Sequence, residues 1–137
     1  MRKVDALIIG FGKGGKTLAG TLAGKGQTVV VVEKSPKMYG GTCINVACIP
    51  TKSLVHSAAL SAAQGGSFAE KAARFTAAIA EKNRVTAFLR DKNYHKLADN
   101  KNVTVLDGMA RVFWQTSKSP DGSRGSWTMS GRSSPAV

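Results

Sequence analysis

The chain has 137 residues, enough for one domain of about 100–150 residues and too few for two comfortable ones. Its hydrophobic fraction of 42% argues against wholesale disorder. Its net charge of +12, from 20 Lys+Arg against 8 Asp+Glu, suggests an affinity for polyanions such as nucleic acid, anionic membrane or phosphate-bearing cofactors. The cations are scattered singly from Arg2 to Arg132, so no patch marks a nucleic-acid footprint and the expectation is no nucleic-acid partner.

Val4 to Ile9 reads as a short buried strand ended by glycine. Lys13 to about Lys25 reads as a helix with Leu18, Ala19 and Leu22 on one face, closed by Gly24 and Gly26. Thr28 to Val32 is a second strand, β-branched throughout. Being apolar on both faces, it belongs in a parallel sheet covered by helices. Strand, helix and strand form one βαβ unit, the start of an α/β fold. A loop rich in Gly, Pro and Ser follows over 34–42. Ser53 to Ala63 and Phe68 to about Leu97 read as helices, the second long, with Phe75, Ile79, Val85 and Leu89 among its apolar positions. Val103 to Leu106 is a third strand, and Ala110 to Phe113 begins a fourth.

Composition then changes. Residues 114–137 hold seven serines and three glycines, with no Leu or Ile and no hydrophobic period. The expected division is therefore a folded part over 1–113 and a disordered or out-of-frame tail over 114–137. The longest apolar runs, Ala6–Ile9 and Val29–Val32, are far shorter than the roughly 20 residues of a spanning helix. The N-terminus lacks the apolar core of an export signal, so the expectation is a cytoplasmic protein without a membrane partner.

Gly10 to Gly15 matches G-x-G-x-x-G between a strand and a helix. Gly10 permits the tight turn, Gly12 leaves room for a pyrophosphate, and Gly15 lets helix and strand pack closely. The free N–H groups and positive dipole end of the helix suit phosphates. Glu33 closes the second strand, where an acid accepts hydrogen bonds from a ribose hydroxyl and disfavours a 2′-phosphate. Together these features point to dinucleotide binding, and the spacing does not separate FAD from NAD.

Cys43 and Cys48 have four residues between them and can be bridged within one local turn. Cys48 falls at or near a helix start, where the dipole and Lys52 favour a thiolate. Two inert cysteines and a metal site are the alternatives. Only His56 and His95 remain to complete a metal site, so none is expected.

The stretch Gly40 to Lys52 (GGTCINVACIPTK) resembles the redox-disulfide signature of the class I pyridine nucleotide-disulfide oxidoreductases, which include dihydrolipoamide dehydrogenase, glutathione reductase and mercuric reductase. Gly10–Lys13, Tyr39–Lys52, Phe88–Asn93 and Asp107–Gly108 read most like the reactive-chlorine resistance branch of that family, and the resemblance covers 3 to about 113. It implies an incomplete Rossmann-like FAD-binding domain, a parallel sheet with a βαβ start and a long helical segment. FAD is the implied cofactor, with NAD(P)H as reductant of the full-length enzyme. Cys43 would be the interchange thiol, Cys48 the flavin-facing thiol, and Lys52 would lie near the flavin N5 edge. Gly41 and Thr42 would touch the cofactor phosphates. Electrons would pass from NAD(P)H through FAD to the Cys43–Cys48 disulfide, then to a small-molecule or metal-ion acceptor, in a homodimer.

Family members carry several hundred residues, including a second nucleotide domain and a dimerisation domain. The expectation is thus an inactive, poorly stable fragment with an apolar sheet face uncovered. A standalone, non-enzymatic dinucleotide-binding module is the competing possibility. Ala47 stands where the family usually has glycine, and a positive φ there would strain it.

Overall fold

The computed structural model describes residues 3–114 and 127–129. The chain runs β1 (Ala6–Ile9), α1 (Lys13–Gly24), β2 (Val29–Glu33), a 3-10 turn (Pro36–Met38), α2 (Thr42–Asn45), α3 (Cys48–Gln64), α4 (Phe68–Ala98), β3 (Val103–Asp107), β4 (Val112–Trp114) and β5 (Trp127–Met129). The first three strands form a parallel sheet in the order β1-β2-β3. Ala6, Val29 and Val103 lie in register, as do Ile9, Val32 and Leu106. The fold is mixed α/β, with helical crossovers joining the parallel strands.

Register decides which side chains share a face, because side chains alternate along each strand. Ala6, Ile8, Val29, Val31, Val103 and Val105 face α1 and α4, where Ala19, Ala23, Tyr94 and Leu97 complete the core. Leu7, Ile9 and Leu106 lie on the opposite face and are 40%, 57% and 49% exposed. The buried face of α1 is narrower than its sequence suggests. Ala19 and Ala23 are buried with Leu22 partly so, and Leu18 is 52% exposed. Small residues let the helix axis approach the sheet, and at 100° per residue Leu18 turns away from Ala19 toward solvent.

Helix α1 stops at a left-handed glycine: Gly26 has φ +84°, and Gly26 N and Gln27 N donate to Ala23 O and Leu22 O. Helix α3 starts at Cys48, where the cysteine motif places a helix start and five residues ahead of the Ser53 at which the helical pattern becomes readable, so Pro50 falls in its first turn. Proline is tolerated there because first-turn N–H groups have no intrahelical acceptor. Helix α4 opens on a capping box in which Ser67 and Glu70 satisfy each other's backbone N–H groups.

Strands β4 and β5 pair antiparallel, with Val112 opposite Met129. Of the expected tail over 114–137, Trp114 ends β4 and Trp127–Met129 form β5. For 115–126 and 130–137 the expectation of a disordered or out-of-frame tail lies outside the described residues. No helix among the described residues is long and apolar enough to cross a membrane.

Candidate functional site: a glycine turn and a cysteine pair

The first turn leaves β1 at Gly10, whose φ of +99° needs glycine, and enters α1 through Gly12 as N-cap. Gly10 N donates to Val32 O at 2.7 Å, tying the turn to the end of β2. A Cβ on Gly12 would meet no heavy atom within 4 Å, so space over the turn is open to an approaching group. A Cβ on Gly15 would sit 2.5 Å from Gly10 O and 3.0 Å from Ile8 Cγ2, so helix, turn and strand meet at a distance only glycine allows. This open cradle of backbone N–H groups at a helix start fits a pyrophosphate.

Glu33 is buried at the end of β2. Its Oε2 accepts from Phe11 N at 2.7 Å and its Oε1 from Ser35 N at 3.2 Å. The carboxylate therefore bolts the glycine turn to the sheet and retains lone pairs for a ribose hydroxyl.

The loop before the cysteines folds onto this turn. Gly40 N donates to Phe11 O at 3.1 Å, and the Phe11 and Tyr39 rings lie 5.0 Å apart. Gly41 has φ +82°, and a Cβ there would lie 2.8 Å from Gly12 Cα. Thr42 and Cys43 are thereby carried to the mouth of the phosphate turn. Asn45 holds the loop: its Nδ2 donates to Tyr39 O and Gly41 O, both at 2.9 Å, while its Oδ1 accepts from Arg90 Nε of α4 at 2.9 Å.

Cys43 and Cys48 are both free and exposed. Cys48 is the first residue of α3 and Lys52 stands one turn on, also exposed. Contact with Cys48 pushes the Cys43 thiol up, ahead of burial, while Lys13 and Lys52 pull it down. Ala47 precedes α3 with φ −114°, a negative value that alanine adopts without left-handed strain. Every residue singled out in the sequence for the turn and the cysteine pair falls in this one region. His56 and His95 are exposed, and His95 pairs with Asp91 and Asp99 along its own helix. No cluster of three His, Cys, Asp or Glu side chains able to hold a metal occurs among the described residues.

Tyr39 enters the sequence reading only as the first residue of the Tyr39–Lys52 stretch, with no role of its own. Its hydroxyl donates to Asp107 at the end of β3, and its ring stacks on Tyr94 at 4.7 Å. Burial, then the Asp107 hydrogen bond and charge, push its phenol well above the usual range. A folded-state value raised above the unfolded 10.0 means that this stabilisation is complete below pH 10.0 and is lost as pH rises beyond it. Tyr39→Phe should cost about 1 kcal/mol at neutral pH. It should also flatten the alkaline limb of stability, read from urea midpoints against pH. An unchanged alkaline limb would place the titrating group elsewhere.

Residues 4–120 match the family described as pyridine nucleotide-disulphide oxidoreductase. The chain belongs to that family. It is similar to the probable pyridine nucleotide-disulfide oxidoreductase RclA of Escherichia coli K12, 53% identical over 113 residues, covering 82% of this chain and 23% of the relative. Mercuric reductase of Streptomyces lividans is 35% identical over 77% of this chain and 23% of its own length. Dihydrolipoyl dehydrogenase of Manduca sexta is 51% identical over 53 residues, 39% of this chain and 10% of that protein. Among solved structures, a Cu(II) complex of the HOCl-induced flavoprotein disulfide reductase RclA from E. coli superposes with a TM-score of 0.66 at 53% identity, covering 78% of this chain and 22% of that one. The chain thus spans about a quarter or less of the length of the relatives it matches.

Proposed function

We propose that this chain forms the FAD-binding and redox-disulfide part of a flavoprotein disulfide oxidoreductase, with Cys43 and Cys48 as its electron-carrying pair. The observation that carries this reading is the seating of Gly41 on Gly12, two residues ahead of Cys43, whose thiol contacts Cys48. When bound, FAD relays electrons between NAD(P)H and the cysteine pair. Gly10, Gly12 and Gly15 would seat its pyrophosphate, Glu33 would accept from its ribose, and Gly41 and Thr42 would flank the phosphates.

Two electrons and two protons convert the Cys43–Cys48 disulfide to the dithiol. Loss of both electrons to an acceptor re-forms the S–S bond and releases two protons. Cys43 is the interchange thiol and Cys48 the flavin-facing one. Lys52 would supply positive charge at the pair. The name of one relative, a mercuric reductase, favours a metal-ion acceptor, and a solved relative holds Cu(II). With Cu(II), one dithiol reduces two ions to Cu(I). The working unit is a cytoplasmic homodimer that includes the further domains seen in the family.

Gly12→Ala tests the cofactor seat at a small folding cost, since the added Cβ meets no heavy atom within 4 Å and Gly12 has φ −73°. FAD titration followed by flavin fluorescence should show binding weakened at least about tenfold, with unchanged circular dichroism. Equal affinity in both proteins would sink the cofactor reading. Independently, mild oxidation should remove both thiols from a chromogenic thiol titration and lower the mass by two hydrogens without dimer formation. Intermolecular bridging instead would remove the cysteine pair from the proposal.

A further inference from the structure

We propose that Lys13 serves two anions that compete for it, the pyrophosphate seated on the glycine turn and the Cys43 thiolate, so that nucleotide occupancy sets the reactivity of Cys43. This rests on the nucleotide site proposed above. The geometry sets the Lys13 backbone against the cysteine loop, since a Cβ on Gly41 would lie 3.4 Å from Lys13 N and Cys43 follows two residues later, within range of the Lys13 charge. Lys13 opens α1 and is exposed, hence free to choose between partners.

The neighbouring Lys16 is not equally free. Its ammonium donates to Asn93 Oδ1 of α4, and Asn93 is itself held by Leu89 O. Burial, then Lys96 and Lys13, pull its pKa down. The charged and titratable groups around Cys43 are thus Lys13 and Lys16 from α1 and Cys48 and Lys52 from α3, with Lys96 of α4 acting on Lys16. Lys13 and Lys52 both favour the thiolate. Only Lys13 stands on the phosphate turn itself. A doubly charged pyrophosphate there neutralises Lys13, and by linkage a thiolate at Cys43 weakens the pyrophosphate's hold. Lys13 is on this account a positioning residue for charge.

The test is alkylation of Cys43 by iodoacetamide, a neutral reagent, across the neutral to alkaline range in a Cys48→Ser background. ADP is the probe, its binding measured separately by equilibrium dialysis. Lys13→Met should move the midpoint of the rate profile to higher pH and slow alkylation at neutral pH roughly twofold, and Lys13→Arg should restore the original profile. Saturating ADP should shift the Lys13 protein's midpoint upward and leave the Lys13→Met midpoint in place. An unmoved midpoint in Lys13→Met overturns the proposal. So does bound ADP that lowers only the alkaline plateau, which is shielding. Absence of ADP binding overturns the nucleotide site itself and the competition with it, whereas bound ADP without a midpoint shift overturns the competition alone.

Discussion

Gly15→Ala should lose roughly 2–4 kcal/mol of stability, while Gly14→Ala, one residue earlier in the same helix, should gain up to about 1 kcal/mol. The Cβ added at Gly15 would sit 2.5 Å from Gly10 O, a backbone atom in a turn already fixed by the 2.7 Å bond from Gly10 N to Val32 O. Neither helix nor turn can retreat without breaking that bond or lifting Ala19 and Ala23 off the sheet. The Cβ added at Gly14 meets nothing within 4 Å, so there alanine only reduces the conformational freedom of the unfolded chain. Urea unfolding followed by circular dichroism reads both variants. If they shift in the same direction, the close approach of helix and strand at Gly15 is wrong. A total stability of about 5–15 kcal/mol is typical of a domain. A loss of this size would therefore threaten the fold as well as the phosphate seat.

Glu33→Ala should cost about 2–4 kcal/mol and abolish FAD binding, because two backbone N–H groups lose their acceptor at once. Phe11 N is buried and bonded to Oε2 at 2.7 Å, and Ser35 N is bonded to Oε1 at 3.2 Å. Glu33→Gln keeps one acceptor oxygen and turns the other into a donor that faces an N–H group. It should lie between wild type and alanine in urea midpoint. Retention of the wild-type midpoint by the alanine variant would show that Glu33 serves only a ligand. The backbone of Glu33 contributes separately, since its carbonyl accepts from Gly108 N at 2.8 Å. That contact should survive both substitutions.

Much of this arrangement was legible in the residues. The apolar runs at 6–9 and 29–32 are β-branched or aliphatic without alternation, which suits only strands covered on both sides or awaiting cover. Gly10, Gly12 and Gly15 stand at positions where a strand-turn-helix junction has its tightest backbone, and each acts locally. The helical pattern of α3 is readable only from Ser53, although the helix begins at Cys48; Pro50 in its first turn is harmless there. The sequence groups Leu18 with Ala19 and Leu22 on one face of α1; the close helix-sheet contact buries the small residues and leaves Leu18 52% exposed.

The sequence alone determined what is local in this protein: the order of strands and helices, the glycine turn, the acid at the end of β2, and two cysteines spaced for a bridge. These depend on φ preferences, side-chain period and short-range hydrogen bonds, all encoded within a few residues of each other. Tertiary structure alone decided the contacts across long separations. Gly41 seats on Gly12, Tyr39 reaches Asp107 across 68 residues, Lys16 reaches Asn93 across 77, and Arg90 holds Asn45 across 45. Such pairs depend on the register that β2 sets for β1 and β3 and on α4 packing back over the sheet. No local pattern announces them, because each partner alone is an ordinary surface residue until burial and packing bring it within bonding distance.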